Sequence, residues 1–214
     1  DGAWTNPEMA RQQREMGQQE LLNWAAGLDV PPFRAYIELM KRHCWDVHAL
    51  LDVGCGCGLY PPVLREAGWK GKYFGVDYSE SMISKAQVYN LCAWFFLVDA
   101  RNMDVFGSRS IPLVVSGCVM LHVSSGGGWK KALEESARVS ARWLLLHRTP
   151  VIPGREHRYW RKLAYGVPCL EQHFAEEVLR ETWMELGFRF VEEIVTSTGE
   201  DGLAWKSIML ERMP

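Results

Sequence analysis

Residues Leu50–Tyr60, LLDVGCGCGLY, carry the pattern on which the reading of this chain turns. An apolar run from Ala49 to Val53 meets glycines at 54, 56 and 58, with Cys55 and Cys57 between them. The apolar part reads as a buried strand, because strands covered on both faces lose the polar alternation of half-exposed ones. The glycines read as a turn from strand into helix, where missing side chains let the main chain approach a ligand. Residues 60–68, YPPVLREAG, then read as a helix whose prolines fall in its first turn, where no intrahelical amide bond is lost.

Outward from this unit the pattern repeats. KYFGVD (72–77) is a second strand, and SESMISKAQVYN (79–90) a helix capped by Ser79. AWFFLVDA (93–100) and PLVVSGCVML (112–121) give a third and a fourth strand, GWKKALEESARVS (128–140) a helix, and RWLLLHRT (142–149) a fifth strand. This alternation predicts an α/β fold with a doubly wound, mostly parallel sheet. Residues 150–172 break it and read as an aromatic, basic insertion. A helix over 174–187 follows, then two strands separated by TGEDG, which should pair as an antiparallel hairpin. Ahead of the alternation, residues 6–27 and 31–44 read as helices, the first capped by Asn6 with Pro7 in its opening turn. The expected organisation is an N-terminal helical cap over 1–45 and a core over 46–214, with residues 150–172 as a substrate lid.

Composition narrows the function. The chain has 214 residues, 48% hydrophobic and 23% charged, as expected of one ordinary domain. A net charge of −2 without a basic run argues against a general grip on nucleic acid or an anionic membrane. No apolar run approaches the roughly 20 residues of a membrane span, and the N-terminus is too polar for a signal peptide. The six cysteines lack framework spacing and are expected as reduced thiols in a cytoplasmic protein. The ten tryptophans are expected in the core and in pocket walls.

Ligands of a doubly wound sheet bind beyond the carboxyl ends of its strands. Asp52, Asp77, Asp99 and the pair Ser116-Gly117 fall there. Asp77 stands about 20 residues beyond the glycine loop, the spacing that sets a carboxylate on paired ribose hydroxyls. The site therefore reads as one for a nucleoside-containing cofactor. A dinucleotide fingerprint would need glycine where Leu59 stands, and no phosphate loop ending in Gly-Lys-Ser/Thr is present.

LLDVGCGCG instead resembles the first motif of class I S-adenosylmethionine-dependent methyltransferases, an acidic residue followed by G-x-G-x-G. FGVDYSESMISKA and FLVDARNM resemble that superfamily's second- and third-strand acidic motifs, and the terminal hairpin fits its seven-stranded Rossmann-like sheet. The resemblance runs from about residue 46 to 211. It implies that Gly54, Cys55, Gly56 and Gly58 face the methionine part of the cofactor, with Asp52 orienting the loop or receiving the amino group through water. It further implies Asp77 on the ribose hydroxyls, Tyr78 and Met82 beside the adenine, and Asp99 and Ala100 at its amino edge. Ser116, Gly117 and Cys118 would border the methyl donor. S-adenosyl-L-methionine is thus the expected cofactor and S-adenosyl-L-homocysteine the product. More narrowly, LVVSGCVMLHV, WLLLHRTPV and ELGFRFVEE resemble a methyltransferase family associated with bacterial cell-surface polysaccharides. That family has Asn where His147 stands.

Cys55 and Cys57 alone fall short of the four ligands of a structural zinc site, and no metal is expected; an arsenite acceptor lacks its characteristic paired cysteines. His122 after the fourth strand and His147 and Arg148 at the end of the fifth are the candidates for acceptor chemistry. His157, Tyr159, Trp160, Tyr165 and His173 are the candidates for a substrate-binding lid, with Arg155, Arg158 and Arg161 available to an anionic acceptor. The N-terminal helices either close over the cofactor through Trp4, Gln12 and Gln13 or brace the sheet edge. The expected activity is methyl transfer to an oxygen or nitrogen of a small molecule, by a monomer or homodimer. The rivals are a catalytically silent cofactor-binding module and an NAD-dependent oxidoreductase.

Overall fold

The computed structural model describes residues 2–123 and 125–214. Two N-terminal helices come first, α1 (Pro7–Ala25) and α2 (Pro31–His43). The Asn6 side chain accepts from the Glu8 amide at 2.9 Å and Pro7 opens α1, so the orphan donors of its first turn are reduced. Lys41, Arg42 and His43 crowd the last turn of α2, where positive charge opposes the helix dipole favourably.

The alternating units then follow: β1 (Ala49–Val53), α3 (Tyr60–Glu66), β2 (Lys72–Asp77), α4 (Glu80–Tyr89), β3 (Trp94–Leu97), β4 (Ile111–Gly117), α5 (Gly128–Val139) and β5 (Ser140–Ile152). After them come β6 (Arg158–Ala164), β7 (Val167–Ala175), α6 (Glu176–Glu185), β8 (Phe188–Thr198) and β9 (Ala204–Arg212). Strands β3, β2, β1, β4 and β5 pair in parallel in that order. β9 runs antiparallel between β5 and β8, completing the expected seven strands with one reversed C-terminal strand.

Adjacent side chains on each central strand enter opposite layers, as a sheet covered on both faces requires. Leu51, Val114 and Leu144 join α5 and α6 residues such as Leu133 and Leu179 in one core. Leu50, Leu113 and Leu145 join α2 and α3 residues such as Phe33, Tyr36 and Val63 in the other. A smaller cluster of Met9, Ala10, Cys57 and Met82 seats α1 on the glycine loop and α4.

Four details differ from the sequence reading. β3 ends at Leu97, so Asp99 lies two residues past it in the following turn. β4 ends at Gly117, and Met120–His122 form a 3-10 turn instead of more strand. Ser79 stands at the start of α4, but its hydroxyl meets Ser81 Oγ at 3.0 Å instead of capping the helix. The insertion is not irregular. β5 continues through Ile152, and β6 and β7 form an antiparallel hairpin from Arg158 to Ala175.

That hairpin is fused to the sheet. Val151 and Ile152 pair in parallel with Phe174 and Ala175 of β7. β9 holds one edge of β5 up to Val151, so β7 takes the edge that β4 occupies lower down. The hairpin therefore stands over the carboxyl end of β4.

Candidate functional site

The loop after β1 is shaped by glycine conformations. Gly54 and Gly56 have φ of +74° and +52°, angles that side-chain-bearing residues adopt at a cost. A Cβ on Gly54 would come 2.5 Å from Val119 Cβ, and one on Gly56 2.5 Å from Gln13 Oε1. Both amides at the start of the loop, Gly54 and Cys55, donate to the Val76 carbonyl at 2.8 and 3.0 Å. The loop is thereby pinned to the end of β2.

Asp77 closes this arrangement. Its two carboxylate oxygens accept the Gly56 amide at 3.0 Å and the Ser79 amide at 2.9 Å. Each oxygen keeps a further lone pair, so the group remains able to accept from a ligand. Burial raises its pKa, and the bonds from Ser79 and Gly56 work against that rise. Asp52 is buried and accepts from the Tyr73 hydroxyl. Burial pushes the Asp52 carboxyl up to about 7, the Tyr73 bond opposing and the Asp77 charge adding to the rise. Asp99 is half-exposed and held by Arg101, whose Nη2 lies 2.6 Å from Oδ2; that pairing keeps its carboxyl below the usual range.

These groups border one cavity of about 360 Å³. The sequence-derived cofactor residues Asp52, Gly54, Cys55, Gly56, Asp77, Tyr78, Met82, Asp99, Ala100, Gly117 and Cys118 all line it. Two do not. Gly58 has its carbonyl bonded to Asn90 Nδ2 at 3.0 Å, and a Cβ there would strike that side chain. Ser116 is buried within β4. The cysteines between the glycines have separate surroundings. Cys57 points under α1, 3.3 Å from the Ala10 carbonyl and 3.3 Å from Met82 Sδ, whereas Cys55 borders the cavity and packs in the core beside Gly75 and Phe95.

The opposite end of the cavity is aromatic. His122, His147, Arg148 and Tyr165, all singled out from sequence, line it together with Trp4, Tyr60 and Trp205. Trp4 packs on the His122 ring with centroids 4.4 Å apart and meets Tyr165 edge-on at 6.1 Å. His122 Nδ1 lies 3.2 Å from the Leu170 carbonyl. A carbonyl only accepts, so Nδ1 carries the proton and Nε2 keeps its lone pair. Burial lowers the His122 pKa to about 4. His147 is fully enclosed, with Nε2 2.6 Å from Tyr60 Oη and Nδ1 2.9 Å from Ser207 Oγ. Burial, reinforced by the nearby Arg148 charge, holds its pKa well below the usual value, so the ring is neutral.

The remaining lid candidates lie elsewhere. His157 accepts the Ala175 amide at 3.0 Å and packs against Trp129 and Phe174. Tyr159 and Trp160 are exposed on β6, and His173 pairs with Glu171 at 3.0 Å; none of the four lines the cavity. Lys162, Leu163 and Ala164 of β6 and Glu171 of β7 line it instead. Arg155 and Arg158 pair with Glu181 and Asp201. Of the N-terminal candidates, Trp4 and Gln13 reach the cavity. Gln13 Oε1 accepts the Cys57 amide at 3.0 Å, while Gln12 bonds to Glu8 at 2.8 Å.

Sequence reasoning missed Tyr60, Met16, Arg101, Lys162, Glu171 and Trp205. Tyr60 carried a usable signal, since it opens the helix directly after the glycine loop. Trp205 carried none, because its place depends on β9 returning beside β5.

Among the described residues no group of three or more His, Cys, Asp or Glu is arranged to hold a metal ion, and no helix is long and apolar enough to cross a membrane.

Residues 50–142 match the sequence family described as a methyltransferase domain. No curated protein matches the sequence significantly. Among solved structures, the fold is similar to magnesium protoporphyrin IX methyltransferase from Synechocystis PCC 6803 with bound S-adenosylmethionine. That likeness has a TM-score of 0.62 at 17% identity, covering 95% of this chain and 83% of that one. It is also similar to 1,6-didemethyltoxoflavin-N1-methyltransferase from Burkholderia thailandensis, with a TM-score of 0.62 at 16% identity over 93% of this chain and 88% of that one. The cyclase SpnF matches with a TM-score of 0.61 at 14% identity over 83% and 80%. The chain therefore shares the Rossmann-like fold of these proteins. The narrower likeness to a polysaccharide-associated family gains no support from these comparisons.

Proposed function

We propose that this chain is an S-adenosylmethionine-dependent methyltransferase acting on an oxygen or nitrogen of a small molecule. The observation that carries the reading is the single cavity joining a glycine-loop cradle with Asp77 to an end bearing His122 and Arg148. The match of residues 50–142 to a methyltransferase domain supports it.

The residues fit the cofactor. Gly54 and Gly56 allow Val119 and Gln13 to pack directly on the loop that borders the cavity, and Asp77 keeps acceptor capacity for two ribose hydroxyls. Asp77 gives this end negative charge suited to a sulfonium and an ammonium. Tyr78 and Met82 offer an aromatic and a sulfur surface to a base. When bound, S-adenosylmethionine supplies an activated methyl group that an acceptor lone pair displaces at carbon, the C–S electron pair remaining on sulfur in S-adenosylhomocysteine.

The protein's own part is alignment, worth up to about 7–11 kcal/mol in well-oriented cases. His122 receives the proton of a hydroxyl acceptor on Nε2, its tautomer set by the Leu170 carbonyl. His147 is a positioning residue: doubly bonded to Tyr60 and Ser207, it fixes the Tyr60 hydroxyl at the cavity wall. The N-terminal helices act as a cap and the β6–β7 hairpin as a lid over a core that is one domain.

Calorimetric titration with S-adenosylmethionine tests the donor site, followed by release of S-adenosylhomocysteine over an acceptor panel. Micromolar binding with turnover is the expected result. Binding without turnover on a broad panel would favour a silent binding module. Preferential binding of NAD would sink the reading.

A further inference from the structure

From Arg148 we infer that the acceptor is a planar aromatic monoanion, anchored through a carboxylate. The inference rests on the methyltransferase reading for the word acceptor, but the anion site itself stands on geometry.

Arg148 lies in β5 where its pairing with β9 slips out of register, between Leu146 and Thr149. The residue takes a left-handed φ of +52°, rare and unfavourable for a side-chain-bearing residue. Such bulges re-aim a side chain out of the pleat and recur beside functional sites. Here the side chain is turned into the cavity, where it is mostly buried.

Its guanidinium makes no hydrogen bond or ion pair with any described residue. The other two cations of the lining are taken: Arg101 by Asp99 and Lys162 by Glu171. The acceptor end thus offers one positive charge with no hydrogen-bonded anion, Glu20 acting on it only through space, in a largely buried setting that favours an anion beside it. A planar fork of N–H donors matches a carboxylate in a bidentate way. A single guanidinium suits a monoanion better than a phosphate dianion. The walls around it, Trp4, Tyr60, Tyr165 and Trp205, suit a flat apolar body.

S-adenosylmethionine has a carboxylate of its own, so the test must separate the two ends. The protein loaded with S-adenosylhomocysteine is titrated calorimetrically with benzoate and 2-naphthoate, with their neutral amides, and with phenyl phosphate. The carboxylates should bind at least tenfold more tightly than the amides and more tightly than phenyl phosphate. Arg148→Gln should erase that preference while changing the affinity for S-adenosylhomocysteine less than threefold; Arg148→Lys should keep part of it. Equal binding of acid and amide by the wild-type protein overturns the inference without needing any variant. So does tighter binding of phenyl phosphate. A tenfold loss of S-adenosylhomocysteine affinity in Arg148→Gln, with the acid preference intact, assigns the guanidinium to the donor instead and overturns it too. If S-adenosylhomocysteine itself fails to bind, the methyltransferase reading falls, and the same acid–amide comparison on the unloaded protein decides the anion site separately.

Discussion

The two ends of the cavity are built by different means. The donor end is made from the parallel core: the loop after β1, the tip of β2 and the turn after β3, each tied to the next by backbone hydrogen bonds. Its chemistry is acidic, with Asp52, Asp77 and Asp99 within one wall. The acceptor end is assembled from distant pieces, a segment before α1, the bulge in β5, a residue of β9 and the inner face of the β6–β7 hairpin. Its chemistry is aromatic with one unpaired cation. The first end is dictated by local turns and strand order, the second by tertiary accidents of length and register. A fold shared with methyltransferases and with a cyclase is what one expects when only the first construction is common and chemistry is set by the second.

This contrast can be broken experimentally. The largest effect is expected at the acceptor end, from His122→Ala. With a hydroxyl acceptor it should lower kcat by roughly 10²–10⁴-fold and leave S-adenosylmethionine affinity within threefold, checked by single-turnover kinetics and calorimetry. Because the His122 pKa is held near 4, the wild-type kcat should lack a histidine limb near pH 6.5 and stay flat from about pH 5.5 to 8. A limb at 6.5 would move the proton acceptor away from this ring.

Next comes the donor end. Asp77→Ala removes a ligand contact and frees the Gly56 and Ser79 amides. Loss of charge-assisted hydrogen bonds, each worth about 1.5–3 kcal/mol, should weaken S-adenosylmethionine binding by about 100-fold or more. Benzoate binding to the unloaded protein should be unaffected. A parallel loss of both would mean that the two ends are not separable.

A smaller, pH-dependent effect is expected at Asp52. Its folded pKa of about 7 lies above that of an unfolded aspartate. The folded state therefore holds a proton that the unfolded state has lost between about pH 4 and 7. This contribution favours the folded state at the acidic end and is lost as pH rises through 7. The neutral buried histidines His122 and His147 act in the opposite sense, losing stability as pH falls below about 6.5. The clean measurement is a difference. Asp52→Asn should gain stability relative to wild type by up to about 1.4 kcal/mol per pH unit across that window, followed by urea denaturation of the apoprotein. No change in the difference would mean that Asp52 is already ionised at pH 5.

The smallest expected change is Trp4→Ala. Removing the ring that packs on His122 and faces Tyr165 should raise the KM for an aromatic acceptor severalfold, in line with about 0.5–1.5 kcal/mol for an aromatic pair. The affinity for S-adenosylmethionine should move less. A larger shift in the donor constant would place Trp4 with the other end.

The same division explains what could be read from the residues alone. The β1 loop, Asp77 and the terminal hairpin each advertise themselves through short-range rules: glycine turns, a carboxylate at a set distance, two apolar runs around a tight connection. Eleven of the donor-side residues implied by the methyltransferase resemblance line the cavity. Gly58 was misplaced because a glycine required for packing against Asn90 has the same appearance in sequence as one required for a ligand. On the acceptor side, aromatic residues of the insertion were chosen for their type. The stretch Lys162–Tyr165 borders the cavity, whereas Tyr159 and Trp160, nearer the start of β6, are exposed away from it. Which stretch of the insertion reaches the cavity depends on the pairing of β6 with β7, which residue type alone does not reveal.

The continuation of β5 past the end of β4 has a consequence for how the hairpin is held. The strand that forms part of the floor climbs to become part of the roof, because Val151 and Ile152 pair with β7. Lifting the hairpin means tearing backbone bonds out of the central sheet. Across the cavity, α1 is held to the glycine loop by a side-chain bond from the Cys57 amide to Gln13 and a thiol contact to Ala10. The helical side is therefore fastened by side-chain contacts and the hairpin by the sheet itself.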